Sequence, residues 1–418
     1  MGKQVIVVGA GIAAINAIKA IREFDREVAL NLFSAEPVAP YNRMRLSKGL
    51  FAARDEASNL LQQKDWYDQH RVTLHLGEAV ATVDEREQTV TLRSGRKYGY
   101  DQLLLANGAR NRAPAIEGLA NEKVATLRNL ADAQMIRQRL AKTHTNTNTN
   151  TILNIGGGIQ GLETAWSLTQ QRQKAIIAEL QPRLMPLQLD EAASRIVKAA
   201  VEAAGVEVLT GTQIERIGDD ADGFYAVTQT GERIGCDLLL YATGIKSNTG
   251  IVQGTAIRVN QGIVVDERMR TSVANVYAAG DVAEYQGRVY GLWNIAVEQG
   301  KTAGHNIVNQ PAAYRTIVPV TTLNGYGLSL FSMGNVAETL AEATLIEADL
   351  ERRVYRRIFV RDHRIVGAIM IGDTNKSPVL KTAIEQQLPL ENIPWSEITV
   401  AELMEYLKNL KKQPFAIH

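Results

Sequence analysis

The 418-residue chain is 45% hydrophobic, so it can build substantial cores, and its length corresponds to about three domains of ordinary size. With 46 Lys and Arg against 45 Asp and Glu, a net charge of +1 gives no electrostatic ground for a nucleic-acid partner. One cysteine, Cys236, excludes an internal disulfide framework, four-thiolate zinc and an iron–sulfur cluster held by four cysteines of this chain, and no metal site is expected.

Residues 4–8 read as a buried parallel strand, followed by a helix over 11–23 and a second strand over 28–33 that ends near Glu36. The apolar run over 5–8 stops at Gly9, and Lys19, Arg22 and Glu23 soon follow, so no cleavable signal is expected. Ile6 stands where a myristoylation motif starting at Gly2 needs Ser or Thr, and no stretch approaches the ~20 apolar residues of a membrane helix. The expected compartment is the cytoplasm.

An alternating stretch covers 72–92, and a buried strand over 102–105 runs into Ala106-Asn107-Gly108. The same order restarts at Ile152: strand, glycine turn, helix, then a strand over 175–178 with Glu179 at its end. A strand over 237–241 runs into Ala242-Thr243-Gly244, echoing the earlier triplet, so the architecture is expected to be duplicated. Between the halves Thr and Asn alternate over 145–151, as a polar surface loop or the exposed start of the next strand. Past Trp293 and Gly300 a separate C-terminal unit is expected. There, strands over 354–360 and 365–371 flank a hairpin turn at Asp362-His363. Helical apolar spacing at Leu403, Met404 and Leu407 marks the tail over 400–412.

Two glycine fingerprints sit at strand-to-helix junctions: Gly9, Gly11 and Ala14, then Gly156, Gly158 and Gly161. Glycine lets the backbone approach a pyrophosphate, and the helix N-terminus supplies unpaired N–H groups and partial positive charge. The third slot needs only a small residue, which admits Ala14. Glu36 and Glu179, at the ends of the next strands, suit a ribose diol. Glu179 would repel a 2′-phosphate, which favours NADH over NADPH, although Arg183 nearby works against that preference. A third signal is Gly280-Asp281, read as a strand ending at the start of a helix, where the carboxylate can meet a ribityl hydroxyl or serve as an ordinary cap.

On these motifs, and on PYNRMRLSKGL at 40–50, LQPRLMPLQLD at 180–190, YAAGDVAEY and GLWNIAVEQG at 291–300, the chain resembles the FAD- and NAD(P)-dependent reductases of the pyridine nucleotide-disulfide oxidoreductase superfamily. It is most similar to the branch without redox cysteines, which includes rubredoxin and ferredoxin reductases and the flavin module of the assimilatory nitrite reductase large subunit. The resemblance implies two Rossmann-like dinucleotide-binding domains plus a small C-terminal α+β domain. The FAD-binding domain is expected over 1–115 and 245–318, the NAD-binding domain over 116–244 and the C-terminal domain over 319–418. It places Gly9, Gly11, Ala14, Glu36, Arg43, Lys48, Asp281 and Trp293 around FAD, and Gly156, Gly158, Gly161, Glu179 and Gly244 around NAD. Lys48 would lie near the isoalloxazine, stabilising charge on the reduced ring, and Glu163 near that lysine and the nicotinamide. The bland alternatives are a surface lysine, a helix-surface acid and a core tryptophan.

No CxxxxC or single cysteine stands over 41–50, so electrons are expected to leave the flavin without a thiol relay, with Cys236 an inert core residue. Arg352, Arg353, Arg356, Arg357, Arg361 and Arg364 crowd the segment 350–364, expected to be opposed by few acids. They suggest either a basic face for an acidic carrier or ordinary solvated strands. The expected function is an NADH-dependent flavoprotein reductase passing electrons to a rubredoxin- or ferredoxin-like protein or an iron–sulfur subunit, as a monomer or homodimer. The alternatives are a flavin subunit of a nitrate- or nitrite-reducing system, a direct reductase of oxygen or quinone, and a flavin-binding regulatory protein.

Overall fold

In a computed structural model the described residues are 3–51, 56–142, 149–221, 223–349 and 351–410. The expectations that touch Gly2, the Thr/Asn repeat over 145–148, Leu350 and the tail over 411–412 fall outside them. The chain divides into two compact units, one of Met1–Leu46, Ala52–Arg112 and Gly244–Ile317, the other of Ser47–Phe51, Ala113–Thr243 and Val318–His418.

The first unit is built on a five-stranded parallel sheet in the order Val276–Ala278, Gln102–Leu105, Gln4–Val8, Ala29–Ser34, Val72–Leu76. Runs such as VIVV and LLL are apolar on both faces, as a sheet covered on both sides requires. The alternating stretch over 72–92 divides: its first strand joins this sheet, whereas Val80–Asp84 and Thr89–Leu92 form an antiparallel sheet with Lys97–Gly99. Helix Ile12–Phe24 presents Ala13 and Ala17 to helix Trp293–Ile307. A Cβ on Gly300 would overlap the Ala13 carbonyl and one on Gly304 the Ala17 carbonyl, so this helix pair approaches as closely as glycine allows. An antiparallel ribbon of Ala109–Asn111 with Ile245–Ser247 is reinforced where Asn107 and Asn248 each donate a side-chain N–H to the other's carbonyl, at 2.8 and 2.9 Å.

The second unit repeats the scheme. Its parallel sheet runs Glu207–Thr210, Lys174–Glu179, Thr151–Ile155, Leu238–Tyr241, Val124–Ala125. Helices Ile159–Thr169 and Glu191–Ala203 belong to it, with an antiparallel sheet of Ile214–Asp220, Gly223–Thr228 and Arg233–Gly235. The same unit holds a second antiparallel sheet ordered Val320–Gly325, Leu328–Gly334, Arg364–Ile371, Val354–Arg361, Ala343–Asp349. Asp362 and His363 turn its hairpin with φ of +50° and +53°, the double left-handed geometry that matches strand twist. Helices Ser377–Glu385 and Val400–Leu410 cover one face, setting Leu380, Ile384, Leu403 and Leu407 among Phe331, Ile358 and Met370. The architecture is therefore two Rossmann-like sheets and a C-terminal α+β sheet. Among the described residues no helix is long and apolar enough to cross a membrane.

Candidate functional site

Both glycine fingerprints adopt one geometry. Gly9 and Gly156 lie at φ +104° and +112°. A Cβ on Gly156 would stand 2.6 Å from the Ala242 carbonyl oxygen, and one on Gly9 would overlap the Ala106 carbonyl. The first glycine of each copy is thus fixed twice, by its dihedral and by the strand end behind it. Gly11 and Gly158 cap their helices in extended conformation, with no side-chain cap and no acid in the first turn. A Cβ at either would meet nothing within 4 Å. The first-turn N–H groups are therefore left for an anion, and the backbone there is open to one; both cradles fit a dinucleotide pyrophosphate.

The copies differ at the third position. Ala14 is fully buried and fits, whereas a Cβ on Gly161 would overlap the Gly156 carbonyl and sit 2.5 Å from Asn154 Nδ2. Asn154 adds to the crowding, since its Nδ2 donates to the Gly156 carbonyl at 2.9 Å and ties the second loop to its strand. A buried asparagine within TILNI carries no local signal, and sequence reasoning missed it. Gly157, between the fingerprint glycines, was missed too: its Cβ would stand 2.5 Å from Leu184 and 3.0 Å from Glu179 Cβ.

The two acids are held differently. Glu36, two residues beyond its strand, accepts from Tyr41 Oη at 2.8 Å and ion-pairs with Arg43, whose guanidinium lies over the Tyr41 ring. Glu179 is buried at the end of its strand and accepts from the N–H of Gly157 at 2.6 Å and of Gln181 at 2.8 Å. Arg183 donates to the carbonyls of Pro186 and Leu189, so its guanidinium is engaged within its own loop. Glu179→Ala is expected to weaken dinucleotide binding by releasing the Gly157 N–H, and to narrow the preference for NADH over NADPH about tenfold by removing a like charge. Steady-state kinetics with both nucleotides checks this; an unmodified protein that prefers NADPH contradicts it.

In the second unit, helix Ile159–Thr169 sets Glu163 and Ser167 on one face, four residues apart. Glu163 accepts from Ser47 Oγ at 2.6 Å and lies 3.5 Å from Lys48 Nζ, while Ser167 Oγ donates to the Ser47 carbonyl at 2.6 Å. Burial pushes the Glu163 carboxyl above its ordinary range, opposed by the Ser47 hydrogen bond and the Lys48 charge. Glu163 is thus not a helix-surface acid. The Lys48 side chain keeps 42% of its surface exposed, so this cation remains open to a ligand. Ser47 and Ser167, which hold the segment in place, were not singled out from sequence.

Asp281 corrects an expectation: it does not begin a helix. The Ala283 N–H closes a turn onto the Gly280 carbonyl at 2.9 Å, and the chain continues as strand Ala283–Tyr285, captured by parallel pairing with Ile263–Val265. Ser247 Oγ donates to the Asp281 carbonyl at 2.7 Å, and Gln299 Oε1 accepts from the Gly280 N–H at 2.9 Å. The next helix starts only at Trp293, which is half-buried. Gly244, at φ +97°, falls in the first unit and accepts from the Arg112 N–H at 2.9 Å.

The arginine-rich segment is a second correction, because acids do oppose it. Arg357 is buried between Asp190, at 3.0 Å, and Glu338. Arg356 binds both oxygens of Glu347 at 2.9 Å, the residue opposite it in strand register, while Arg352 pairs with Asp349 and Arg361 with Asp362. Arg357 is therefore buried and paired rather than part of an exposed docking face; Arg353 and Arg364 stand exposed.

Cys236 is buried, and burial pushes its thiol up to about 12. It stays protonated and unreactive at neutral pH. Cys236→Ser is expected to change NADH-driven electron transfer less than twofold; a larger loss with the fold intact would give the thiol a role. Among the described residues no cluster of His, Cys, Asp or Glu could hold a metal ion.

Two dinucleotide cradles of one geometry, each on its own Rossmann-like sheet, define a class of protein built to bind two dinucleotides. The chain belongs to the pyridine nucleotide-disulphide oxidoreductase family, whose sequence model matches residues 3–300; residues 319–388 match the rubredoxin NAD+ reductase C-terminal domain. It is 33% identical over 389 residues to a Bacillus subtilis NAD(P)H nitrite reductase, which covers 92% of this chain and 47% of that protein. It is 27% identical over 390 residues to the NADH-rubredoxin oxidoreductase of Clostridium acetobutylicum, covering 93% and 96%. The crystal structure of the clostridial NADH:rubredoxin oxidoreductase superposes with a TM-score of 0.79 at 26% identity, covering 97% of this chain and 100% of that one. The chain thus spans about half the length of the nitrite reductase and nearly all of the rubredoxin oxidoreductase.

Proposed function

We propose that the chain is an NADH-dependent reductase that delivers electrons through FAD to a small redox protein of the rubredoxin or ferredoxin kind, in the cytoplasm. The observation that carries this reading is the combination of two dinucleotide cradles with a single, buried, unreactive cysteine. When bound, FAD supplies hydride acceptance from NADH and release of electrons one at a time. In this reading Gly9, Gly11, Ala14, Glu36, Arg43, Asp281 and Trp293 hold FAD over 1–115 and 245–318. Gly156, Gly158, Gly161, Glu179 and Gly244 hold NADH, over 116–244. The N–H groups opening helices Ile12–Phe24 and Ile159–Thr169 bind the two pyrophosphates. Lys48 supplies positive charge for the reduced flavin, and Glu163, fixed by Ser47, holds the ammonium in place. No residue is required as an acid or base for the hydride step.

A second reading is favoured by the 33% identity to half of a nitrite reductase: the chain as flavin module or subunit of a nitrate- or nitrite-reducing assembly. The test is to reduce the FAD-loaded protein with NADH anaerobically and offer it rubredoxin, ferredoxin, oxygen and quinone in turn. Fastest oxidation by a carrier protein supports the first reading, and co-purification with an iron–sulfur subunit supports the second. Oxidation fastest with oxygen or quinone would overturn the first reading, and failure of any iron–sulfur subunit to co-purify would overturn the second.

A further inference from the structure

The loop over 180–189 joins Glu179 to helix Glu191–Ala203 and is pinned at both ends. At its entrance Glu179 accepts the Gly157 N–H, and midway the Met185 N–H donates to the Gly157 carbonyl at 3.2 Å. Met185 takes a left-handed φ of +47°, a strained conformation for a non-glycine residue that the surrounding contacts must hold. The loop thus lies directly against the middle glycine of the second cradle.

Its exit is gripped from the C-terminal sheet. Asp190 caps the following helix, accepting from the Ala193 N–H at 2.8 Å, and a cap needs nothing more. Yet Asp190 also accepts from Tyr355 Oη at 2.5 Å and Arg357 Nη1 at 3.0 Å, both on strand Val354–Arg361. Ser332 Oγ, on strand Leu328–Gly334 of the same sheet, donates to the Gln188 carbonyl at 2.5 Å. Three side chains of one sheet converge on residues 188–190, and the Asp190 side chain is only 2% exposed. A carboxylate so buried depends on all its partners, and losing one leaves its charge under-compensated in the interior.

We propose that Tyr355, Arg357 and Ser332 are positioning residues for the nicotinamide nucleotide, setting the second cradle through Asp190, Gln188 and the loop that ends at them. The C-terminal sheet then tunes nucleotide affinity without touching the nucleotide. The proposal rests on the reading of Gly156, Gly158 and Glu179 as the nicotinamide site.

The test uses the full FAD-loaded chain with Tyr355→Phe, Ser332→Ala and Glu179→Ala. It measures the Kd of NAD+ by calorimetry, KM and kcat with NADH, bound FAD and Tm. Tyr355→Phe is expected to raise the Kd for NAD+ and the KM for NADH about fivefold, the scale of one buried hydrogen bond, with kcat at saturation and FAD content held. Ser332→Ala touches no buried charge and is expected to shift both in the same direction, so it decides the matter if Tyr355→Phe does not fold. A lowered Tm with unchanged Kd in the folded variants would make the contacts packing alone and overturn the proposal. If Glu179→Ala also leaves the Kd unchanged, the nicotinamide site itself has been misassigned and the proposal falls with it.

Discussion

On the proposed reading of the second cradle as the nicotinamide site, Gly161→Ala is expected to weaken binding of that nucleotide about tenfold or more while leaving FAD in place. The added Cβ would overlap the Gly156 carbonyl and press on Asn154 Nδ2 at 2.5 Å. Neither neighbour can retreat. Gly156 is held at φ +112° with the Ala242 carbonyl behind it, and Asn154 is buried in the central strand. The helix start must move instead, which displaces the N–H donors offered to a pyrophosphate, and a weakened hydrogen bond to a charged group costs about tenfold or more. Ala14 at the matching place in the first cradle makes the contrast, because there alanine is native and fully buried. Titration with NAD+, alongside the flavin absorbance of the purified protein, checks both halves. Undiminished NAD+ affinity would show that this helix start does not carry the nucleotide.

Lys48→Met is expected to slow reduction of the flavin by NADH about a hundredfold with little change in NADH affinity. On the proposed reading the ammonium offsets charge that appears only as the flavin is reduced, so its loss falls on the rate rather than on binding. Glu163 is expected to offset part of this loss, because its protonation removes a negative charge beside the vacated ammonium position. Buried and already raised toward the neutral acid, it loses one of the two groups that lower it and takes up a proton more readily. Anaerobic stopped-flow at several NADH concentrations separates the two quantities. An unchanged rate would make Lys48 a surface lysine.

What the amino-acid pattern could reveal follows from the range over which each signal acts. Both cradles, the acids after the next strands and the Asp362-His363 turn are local, each specified within a few residues by dihedral and spacing. Glu163 was legible only as a position: its partner Ser47 lies 116 residues away, and only the fold buries the pair. The arginine segment looked unopposed because its acids arrive by strand register, as Glu347 does opposite Arg356, or from another sheet, as Asp190 does. Asp281 was placed at a helix because strand-Gly-Asp is a common helix entrance; pairing with Ile263–Val265 turned the next residues into a strand instead. Gly300 and Gly304 show the same limit, since four-residue spacing in a helix does not say which backbone approaches it.

The most direct test of the central claim, that electrons enter from NADH and leave from the flavin with no thiol store, is an anaerobic titration of the FAD-loaded protein with NADH. One equivalent of NADH per flavin is predicted to bleach the flavin completely, with the same endpoint in Cys236→Ser. A requirement for a second equivalent, or a flavin that NADH does not reduce, would contradict it.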